Sequence, residues 1–338
     1  MGVRQMSADV SAAPNAPQML RDPAPREPLL WLHDVSLARA GRSVLDRVSF
    51  ALGRGEVLGL VGESGAGKST LALIAMGLLR PPAVALEGCM RFAEFDNLLA
   101  EPESVWAGLR GRRIGMIFQD AAAALNPCFT VAHHLATPLR RLLGLGRADA
   151  RRRAITLLES VGLNDAEARL AAFPHELSGG MQQRVMIAVA LACSPELLLA
   201  DEPTSALDVT IQAQIMRLIL QQVRARHASS IIVLHDLALA SQVCDRIVVL
   251  YAGQVVEAGS SETVLRRTLH PYTHALKSCV VELETERLTP PEGGLPALGA
   301  MPAGCRFAPR CPRATDACAS RPPLRELDGR AIACWHPG

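Results

Sequence analysis

Apolar and polar positions divide the chain into a strand-rich start, a helical middle and a second half in which strands and helices alternate. Alternating stretches at 30–37 and 44–52 predict the two strands of a β-hairpin. The apolar run within 56–62 predicts a buried strand, and the 3.6-residue period that follows Lys68 predicts a helix. The pattern from about 130 to 195 is mostly helical.

After residue 195, apolar runs that are typical of buried strands alternate with helical patterns. These runs are E-L-L-L-A-D, S-S-I-I-V-L-H and R-I-V-V-L-Y-A-G-Q-V-V-E-A-G. Such alternation is typical of a largely parallel sheet with helices packed against it. The pattern therefore predicts an α/β fold.

The two ends of the chain differ from this pattern. Residues 1–28 are rich in Ala and Pro and have no periodicity, which predicts a disordered arm. From about residue 271, Pro and Gly become frequent, which predicts a linker into a small final module. The predicted domains are thus 29–270, with a helical subdomain at about 120–195, and 271–338.

Composition narrows the function classes. The 338 residues are 49% hydrophobic with a formal net charge of +2, which gives no support for a nucleic-acid-binding surface. The first residues contain no apolar stretch typical of a secretory signal, and no window reaches the 18 to 20 or so apolar residues of a membrane span. The sequence predicts a protein of the cytosol, where thiols are kept reduced.

A glycine-rich segment between the predicted strand and helix fits the P-loop pattern G-x-x-x-x-G-K-[ST]. Its glycines allow successive backbone N–H groups to surround phosphate oxygens at a helix N-terminus. Lys68 is predicted to reach the β- and γ-phosphates of ATP, and the Ser69 hydroxyl to bind Mg²⁺. The predicted nucleotide-binding residues are Gly62, Glu63, Ser64, Gly65, Ala66, Gly67, Lys68, Ser69 and Thr70.

The run L-L-L-A-D-E-P-T supplies the acids that such a site needs. A buried strand that ends in a carboxylate delivers it to the carboxyl edge of the sheet, beside the P-loop. Asp201 is therefore predicted to hold Mg²⁺, and Glu202 to polarise the attacking water as general base.

A second candidate anion site lies at the start of another predicted helix, in L-S-G-G-M-Q-Q-R. There Ser178, Gly179 and Gly180 offer backbone N–H groups and a hydroxyl. One chain already has its own phosphate loop, so a second anion site suggests a nucleotide shared between two chains.

The run S-G-G-x-Q-x-R followed by L-L-A-D-E-P-T-S-A-L-D resembles the signature and Walker B regions of ABC ATPases. The resemblance implies a dimer in which each signature loop (Ser178, Gly179, Gly180 and Gln182) covers the γ-phosphate held by the partner. It also implies a catalytic glutamine, Gln119, that contacts the metal and the water, and a switch histidine, His235. The implied D-loop comprises Ser205, Ala206, Leu207 and Asp208.

The chain departs from this family at the position that contacts the base of the nucleotide. Members usually carry an aromatic residue upstream of the P-loop that stacks on adenine, whereas alignment of that segment places Arg39 there. A guanidinium plane is able to stack on a base, and a surface arginine is the alternative.

Longer motifs, among them F-P-H-E-L-S-G-G-M-Q-Q-R and H-P-Y-T-H-A-L, resemble the oligopeptide, dipeptide and nickel importer group of ABC ATPases. The resemblance implies a second ATPase subunit, two transmembrane permease subunits and, indirectly, an extracytoplasmic solute-binding protein. It implies a peripheral position on the cytoplasmic face of the bacterial inner membrane. Peptide is the favoured cargo and nickel the alternative. A nucleic-acid-processing ATPase and a redox-sensing tail are the alternatives of other classes.

The predicted final module contains four cysteines, Cys305, Cys311, Cys318 and Cys334. In a reducing compartment such a set favours a metal site over disulfides. The alternatives are a four-iron four-sulfur cluster, which some peptide-importer ATPases of this type bind, Zn²⁺ or no metal. Arg306, Arg310 and Arg313 lie between these residues and are expected to offset thiolate charge. The stretch 304–320, which carries the first three of these cysteines, is expected to be a structural metal site some distance from the ATP chemistry.

Overall fold

The structure, a computed structural model, describes residues 27–205, 207–278 and 293–338, without the side chains of residues 209 and 210. The predicted disordered arm at 1–28 lies outside these residues except for its last two positions, and the first strand begins at Pro28. Within these ranges, no helix combines the length and the apolar character that crossing a membrane requires.

The strands of the described residues form one three-stranded and one eight-stranded sheet. They are β1 Pro28–Arg39, β2 Arg42–Gly53, β3 Val57–Val61, β4 Ala85–Phe92, β5 Ile114–Ile117, β6 Leu197–Asp201, β7 Ser229–Leu234, β8 Arg246–Tyr251, β9 Gln254–Ser260, β10 Arg325–Leu327 and β11 Arg330–Ile332.

The small sheet is antiparallel in the order β2-β1-β4, as the alternating pattern predicts. Strands β1 and β2 are joined by a two-residue turn at Ala40 and Gly41, whose φ angles of 49° and 72° are both positive. Turns of this kind match the right-handed twist of the strands they connect. The turn brings Arg39 opposite Arg42 at the tip of the hairpin.

The large sheet has the order β10-β11-β9-β8-β3-β7-β6-β5. The five strands from β8 to β5 are parallel, and β9, β11 and β10 continue the sheet in antiparallel pairing. The last long apolar run of the sequence thus forms two strands, because Ala252 and Gly253, with φ angles of 45° and 82°, form a turn between β8 and β9.

The helices lie between these strands along the chain. They are α1 Lys68–Ala75, α2 Glu103–Leu109, α3 Ala121–Ala124, α4 Val131–Leu143, α5 Arg147–Ser160, α6 Ala166–Arg169, α7 Gly179–Ala190, α8 Val209–Ala225, α9 Leu237–Val243, α10 Ser261–Arg266 and α11 Pro271–Ser278. Helices α3 to α7 fill the interval between β5 and β6, which includes the predicted helical subdomain.

Both faces of the parallel strands are buried, and alternate residues contribute to different cores. Leu58 and Leu60 pack in the core that contains the small sheet and α1, whereas Val57 and Val61 pack in the core that contains α4, α5, α7 and α8. Successive side chains of a strand point to opposite faces, so every position of β3 is buried. The P-loop follows the last residue of this doubly buried strand and therefore starts from a rigid base.

The C-terminal residues join the same sheet. Strand β11 pairs with β9, with Ala331 opposite Ala258, and Arg330 forms a buried ion pair of 3.2 Å with Glu257. The first residues of the expected linker form helix α11, whose Tyr272 is fully buried, and residues 279–292 of that linker lie outside the described residues. The C-terminal strands therefore extend the ATPase sheet rather than forming a separate layer.

Candidate nucleotide-binding and hydrolysis site

The P-loop connects β3 to α1, and two of its glycines have positive φ angles that a side chain would not tolerate. Gly62 has φ 157°, and an added Cβ would lie 2.2 Å from the carbonyl oxygen of Leu250. Gly67 precedes the first helical residue with φ 101°, and a Cβ there would lie 2.7 Å from a methyl group of Leu45. The loop can take this path only with glycine at both positions.

Lys68 is the first residue of α1, and its side chain is only 3% exposed. The ammonium donates to the carbonyl oxygens of Gly62, at 2.7 Å, and Glu63, at 3.0 Å. It lies 3.9 Å from a carboxylate oxygen of Glu202. Burial lowers the pKa of Lys68, and the carboxylates of Glu202, Asp201 and Glu63 act in the opposite direction. A buried cation thus lies at the mouth of the phosphate loop.

Ser69 and Asp201, two of the three predicted Mg²⁺ ligands, are in direct contact. The Ser69 hydroxyl donates to Oδ1 of Asp201 at 2.8 Å, which joins the start of α1 to the end of β6. Burial raises the pKa of Asp201, the hydrogen bond from Ser69 lowers it, and the neighbouring charge of Glu202 raises it again. A hydroxyl and a carboxylate are hard oxygen donors, the type that Mg²⁺ prefers beside phosphate groups.

Glu202 directly follows β6 and has a left-handed backbone with φ 42°. A non-glycine residue in this region costs of the order of 1–3 kcal/mol and occurs often at functional sites. Its amide donates to the carbonyl of Val233 at 3.2 Å, and its Oε2 accepts from Nε2 of Gln119 at 3.2 Å. The strained backbone thus places the carboxylate between Gln119 and Lys68.

These residues surround a cavity of about 830 Å³. Predicted site residues in its wall are Arg39, Ser64, Gly65, Gly67, Lys68, Ser69, Thr70, Gln119 and Glu202. Polar groups for a triphosphate, two candidate metal ligands and a candidate base are therefore gathered in one place.

Other predicted residues do not line this cavity. His235 is exposed directly after β7. Ser178 and Gly179 are exposed at the start of α7, where no side chain caps the helix, and Gln182 donates to the carbonyls of Pro174 and Leu177.

Gly180, the remaining signature residue, lies beside α8, since a Cβ added to it would be 3.7 Å from a methyl group of Ile211. Of the predicted D-loop, the Ser205 hydroxyl donates to the carbonyl of Glu202 at 3.1 Å, Leu207 is partly buried, Asp208 is exposed, and Ala206 lies outside the described residues. The exposed signature loop leaves its N–H groups open to another molecule.

Comparison with known proteins assigns the family. Residues 45–205 match the family model for ABC transporters, and 256–318 match the C-terminal region of oligopeptide/dipeptide transporters. The dipeptide transport ATP-binding protein DppD of Escherichia coli is 44% identical over 298 residues, which are 87% of this chain and 90% of DppD. The chain belongs to the ABC transporter ATP-binding proteins.

Further relatives support the same family assignment. The oligopeptide transport ATP-binding protein OppD of Salmonella typhimurium is 41% identical over 93% of this chain and 96% of its own length. The oligopeptide transport ATP-binding protein AppD of Bacillus subtilis is 40% identical over 86% of this chain and 90% of its own length. A solved dimeric ATP-binding cassette bound to ADP and phosphate is 29% identical with a TM-score of 0.61, over 69% of this chain and 98% of that one. The predicted ABC cassette fold and ATPase class are thereby confirmed.

The C-terminal residues of this ABC ATPase touch the nucleotide site. The expectation that the stretch 304–320 lies some distance from the ATP chemistry is wrong, because Arg310 of that stretch contacts the P-loop. The backbone N–H of Glu63 donates to the Tyr272 hydroxyl at 2.8 Å, and Arg310 forms an ion pair with the Glu63 carboxylate at 3.0 Å. Neither residue is among the predicted nucleotide-site residues: Tyr272 lies in the motif H-P-Y-T-H-A-L, and Arg310 is expected to offset thiolate charge. Nothing in either local sequence signals contact with a loop some 200 residues earlier.

The arginines near the tail cysteines also have partners other than those expected. Arg306 donates to the carbonyl of Ala252 and forms an ion pair of 3.0 Å with Asp46. Of the three arginines, Arg313 lowers the pKa of a tail thiol, that of Cys311, although burial raises that pKa more strongly. Two of the arginines therefore fasten the tail to the cassette rather than offsetting thiolate charge.

The structure does not support the predicted metal site in the tail. Cys305, Cys311, Cys318 and Cys334 are free thiols. Burial raises the pKa of Cys305, and the neighbouring Cys318 and Cys334 raise it further. Nowhere in 27–205, 207–278 or 293–338 do three or more Cys, His, Asp or Glu side chains form a group that could hold a metal ion.

Proposed function

We propose that this ABC ATPase couples ATP hydrolysis to the uptake of dipeptides or oligopeptides through membrane permease subunits. The observation that carries the proposal is the joint arrangement of Lys68, Ser69, Asp201 and Glu202 in a chain whose residues 256–318 match the oligopeptide/dipeptide transporter C-terminal region. Peptide as cargo is favoured by the relatives, which are dipeptide and oligopeptide transport proteins.

The hydrolysis step follows from the positions of these side chains. Water attacks the γ-phosphorus of ATP while the bond to the β–γ bridging oxygen breaks, and ADP and phosphate leave. Glu202 accepts a proton from the attacking water, and Gln119, 3.2 Å away, orients its carboxylate. Lys68 and the P-loop N–H groups stabilise the charge on the phosphate oxygens.

Magnesium would be held by Ser69 and Asp201, with Gln119 as the third predicted contact. When bound, the ion supplies positive charge to the β- and γ-phosphate oxygens. The paired hydroxyl and carboxylate fit a hard, small cation, and nucleotide phosphates and water would complete its shell.

A second ATPase subunit is needed because the signature residues of one chain do not line its own cavity. Ser178, Gly179 and Gly180 would cover the γ-phosphate held by the partner, and His235 and the D-loop would contribute at the same interface. Two permease subunits and an extracytoplasmic solute-binding protein complete the machine, which places this chain on the cytoplasmic face of the bacterial inner membrane. No nucleic acid takes part.

Copurification and reconstitution test the proposal. The chain is coexpressed with the two subunits of a peptide permease and reconstituted in liposomes with a solute-binding protein. Peptide-loaded binding protein is expected to stimulate ATP hydrolysis, and peptide is expected to accumulate inside. Stimulation of ATP hydrolysis by Ni²⁺ instead of peptide would identify nickel as the cargo. Stimulation by DNA or RNA would overturn the transport function.

A metal on the four tail thiols stays a prediction. Thiolates suit iron–sulfur clusters and Zn²⁺, but the described side chains do not converge on a metal. The chain is purified without air and its iron, sulfide and zinc contents are measured. Iron and sulfide with absorbance near 400 nm would establish a cluster, and a colourless, metal-free protein would end the hypothesis.

A further inference from the structure

The wall of the nucleotide cavity includes a part of the chain that the ATPase motifs do not contain. Besides the P-loop and the β1–β2 hairpin, residues 295–301 of the C-terminal region line it, through Leu295, Pro296, Ala297, Leu298 and Met301. These residues, the 295–301 segment, lie more than 200 positions after the P-loop in the sequence.

The cavity lining is divided by polarity. Its charged and polar groups come from the P-loop, from Gln119 and Glu202 and, at the hairpin, from Arg39 and Arg42, whereas the 295–301 segment contributes apolar side chains. A nucleotide has the same division, with a charged triphosphate and a flat base whose faces are apolar. Once the phosphates occupy the P-loop, the base faces the remaining lining. That lining consists of the 295–301 segment, the β1–β2 hairpin and three further residues, namely Leu37, Arg39, Ala40, Arg42 and Val44 of the hairpin, with Leu79, Val84 and Ala252.

The 295–301 segment is fastened to the P-loop. A methyl group of Leu295 lies 3.4 Å from the position of a Cβ on Gly65, and Leu295 and Met301 both pack against the larger core. Farther along the chain, Arg306 and Arg310 bind Asp46 and Glu63. The wall is therefore held at a constant distance from the phosphate site.

Leu298 is 44% exposed, one of few large apolar side chains in the described ranges that face solvent to this degree. It lines the cavity, so a bound base would cover it. Burial of its methyl groups against a base would contribute to binding.

We infer that the 295–301 segment is the base-binding wall of the ATP site, with Leu298 and Met301 packing on the purine that Arg39 contacts from the hairpin. The C-terminal region thereby supplies the base contact that an aromatic residue provides in other members of the family. The inference rests on the proposed ATPase function and adds a role in nucleotide binding to the C-terminal region.

Measurements with two ligands distinguish contact with the base from contact with the phosphates. Both use the purified full chain. Dissociation constants are measured by calorimetry for Mg²⁺–ATP and for Mg²⁺–tripolyphosphate, which has the phosphates but no base. Leu298→Ala and Met301→Ala are each expected to weaken ATP binding by roughly tenfold, the scale of one lost apolar contact. Binding of tripolyphosphate is expected to stay unchanged, because the P-loop is intact.

Leu143→Ala is the matched control, since Leu143 is 41% exposed and does not line the cavity. Unchanged ATP binding in both variants, or an equal change for both ligands, would overturn the inference. Tighter binding of both ligands would instead identify the segment as an obstruction. If the unmodified chain bound neither ligand, the proposed function itself would fail.

Discussion

Arg310 and Glu63 form a two-pronged ion pair between the C-terminal region and the P-loop. The guanidinium donates to the two carboxylate oxygens at 3.0 and 3.1 Å, and the Arg310 side chain is only 8% exposed. Paired bonds of this kind fix both distance and orientation. The phosphate loop is thus positioned partly by a residue 247 positions later in the chain.

Replacement of Arg310 tests this connection. Arg310→Ala is expected to lower the free energy of unfolding by about 1–3 kcal/mol, because Glu63 loses a charged partner, and to raise the Michaelis constant for ATP. Urea unfolding and steady-state hydrolysis measure the two effects. Arg313→Ala, an exposed arginine of the same region, is the control. Equal behaviour of the two variants would mean that the ion pair does not position the P-loop.

Glu202→Gln is expected to keep ATP binding but to lower turnover by roughly 10²-fold or more, the scale of a positioned general base. The amide keeps the shape of the side chain and cannot accept the proton of the attacking water. Gel filtration with ATP is expected to show a trapped dimer. Glu262→Gln, at an exposed helix start, should behave as the unmodified chain. Near-normal turnover in Glu202→Gln would remove Glu202 from the mechanism.

The variant Arg39→Ala tests whether Arg39, at the tip of the β1–β2 hairpin, contacts the base of the nucleotide. An exposed guanidinium stacked on an aromatic plane contributes about 0.5–1 kcal/mol, which corresponds to a rise of roughly two- to fivefold in the Michaelis constant. Because the plane stacks on any purine, the constants for ATP and GTP are expected to rise together. A change in the Michaelis constant for ATP alone would show that Arg39 hydrogen-bonds to the edge of the base. No change in either constant would show that Arg39 does not contact the base.

His270 is expected to make stability depend on pH. Its ring is buried, its Nδ1 accepts from the backbone N–H of Tyr272 at 3.0 Å, and burial lowers its pKa to about 3. Between about pH 6.5 and that value the unfolded chain binds a proton that the folded chain does not. Folding stability should therefore fall with decreasing pH, by up to about 1.4 kcal/mol per pH unit.

The variant His270→Asn tests this dependence, because its amide oxygen can still accept from Tyr272 but does not titrate. The free energy of unfolding is measured with urea at several pH values between 4 and 6.5. Its change per pH unit is expected to be smaller in His270→Asn than in the unmodified chain, by as much as the contribution of one proton. Glu257, whose backbone partners include His270, remains in both proteins, so its contribution cancels in the comparison. Identical slopes would show that His270 takes up its proton at the same pH in the folded and unfolded chains, which contradicts the prediction.

Local patterns were sufficient for the core of the site. The strand–loop–helix order around Lys68 and the acids that end β6 are contiguous in sequence, and the sheet order brings their ends to one edge. The contact of Ser69 with Asp201 could thus be expected. The positive φ of Glu202 could not be expected, since it depends on the hydrogen bond of its amide to Val233 in the neighbouring strand.

The sequence by itself predicted the phosphate loop, a candidate metal-binding pair and a candidate general base, because each is encoded by neighbouring residues whose backbone path is locally constrained. Only the tertiary structure decided where the C-terminal residues lie. Pairing of β11 with β9 brings them to the cassette, and the ion pairs of Arg306 and Arg310 hold them over the P-loop. Contacts between residues some 250 positions apart depend on how the whole sheet is assembled, and no local pattern specifies them.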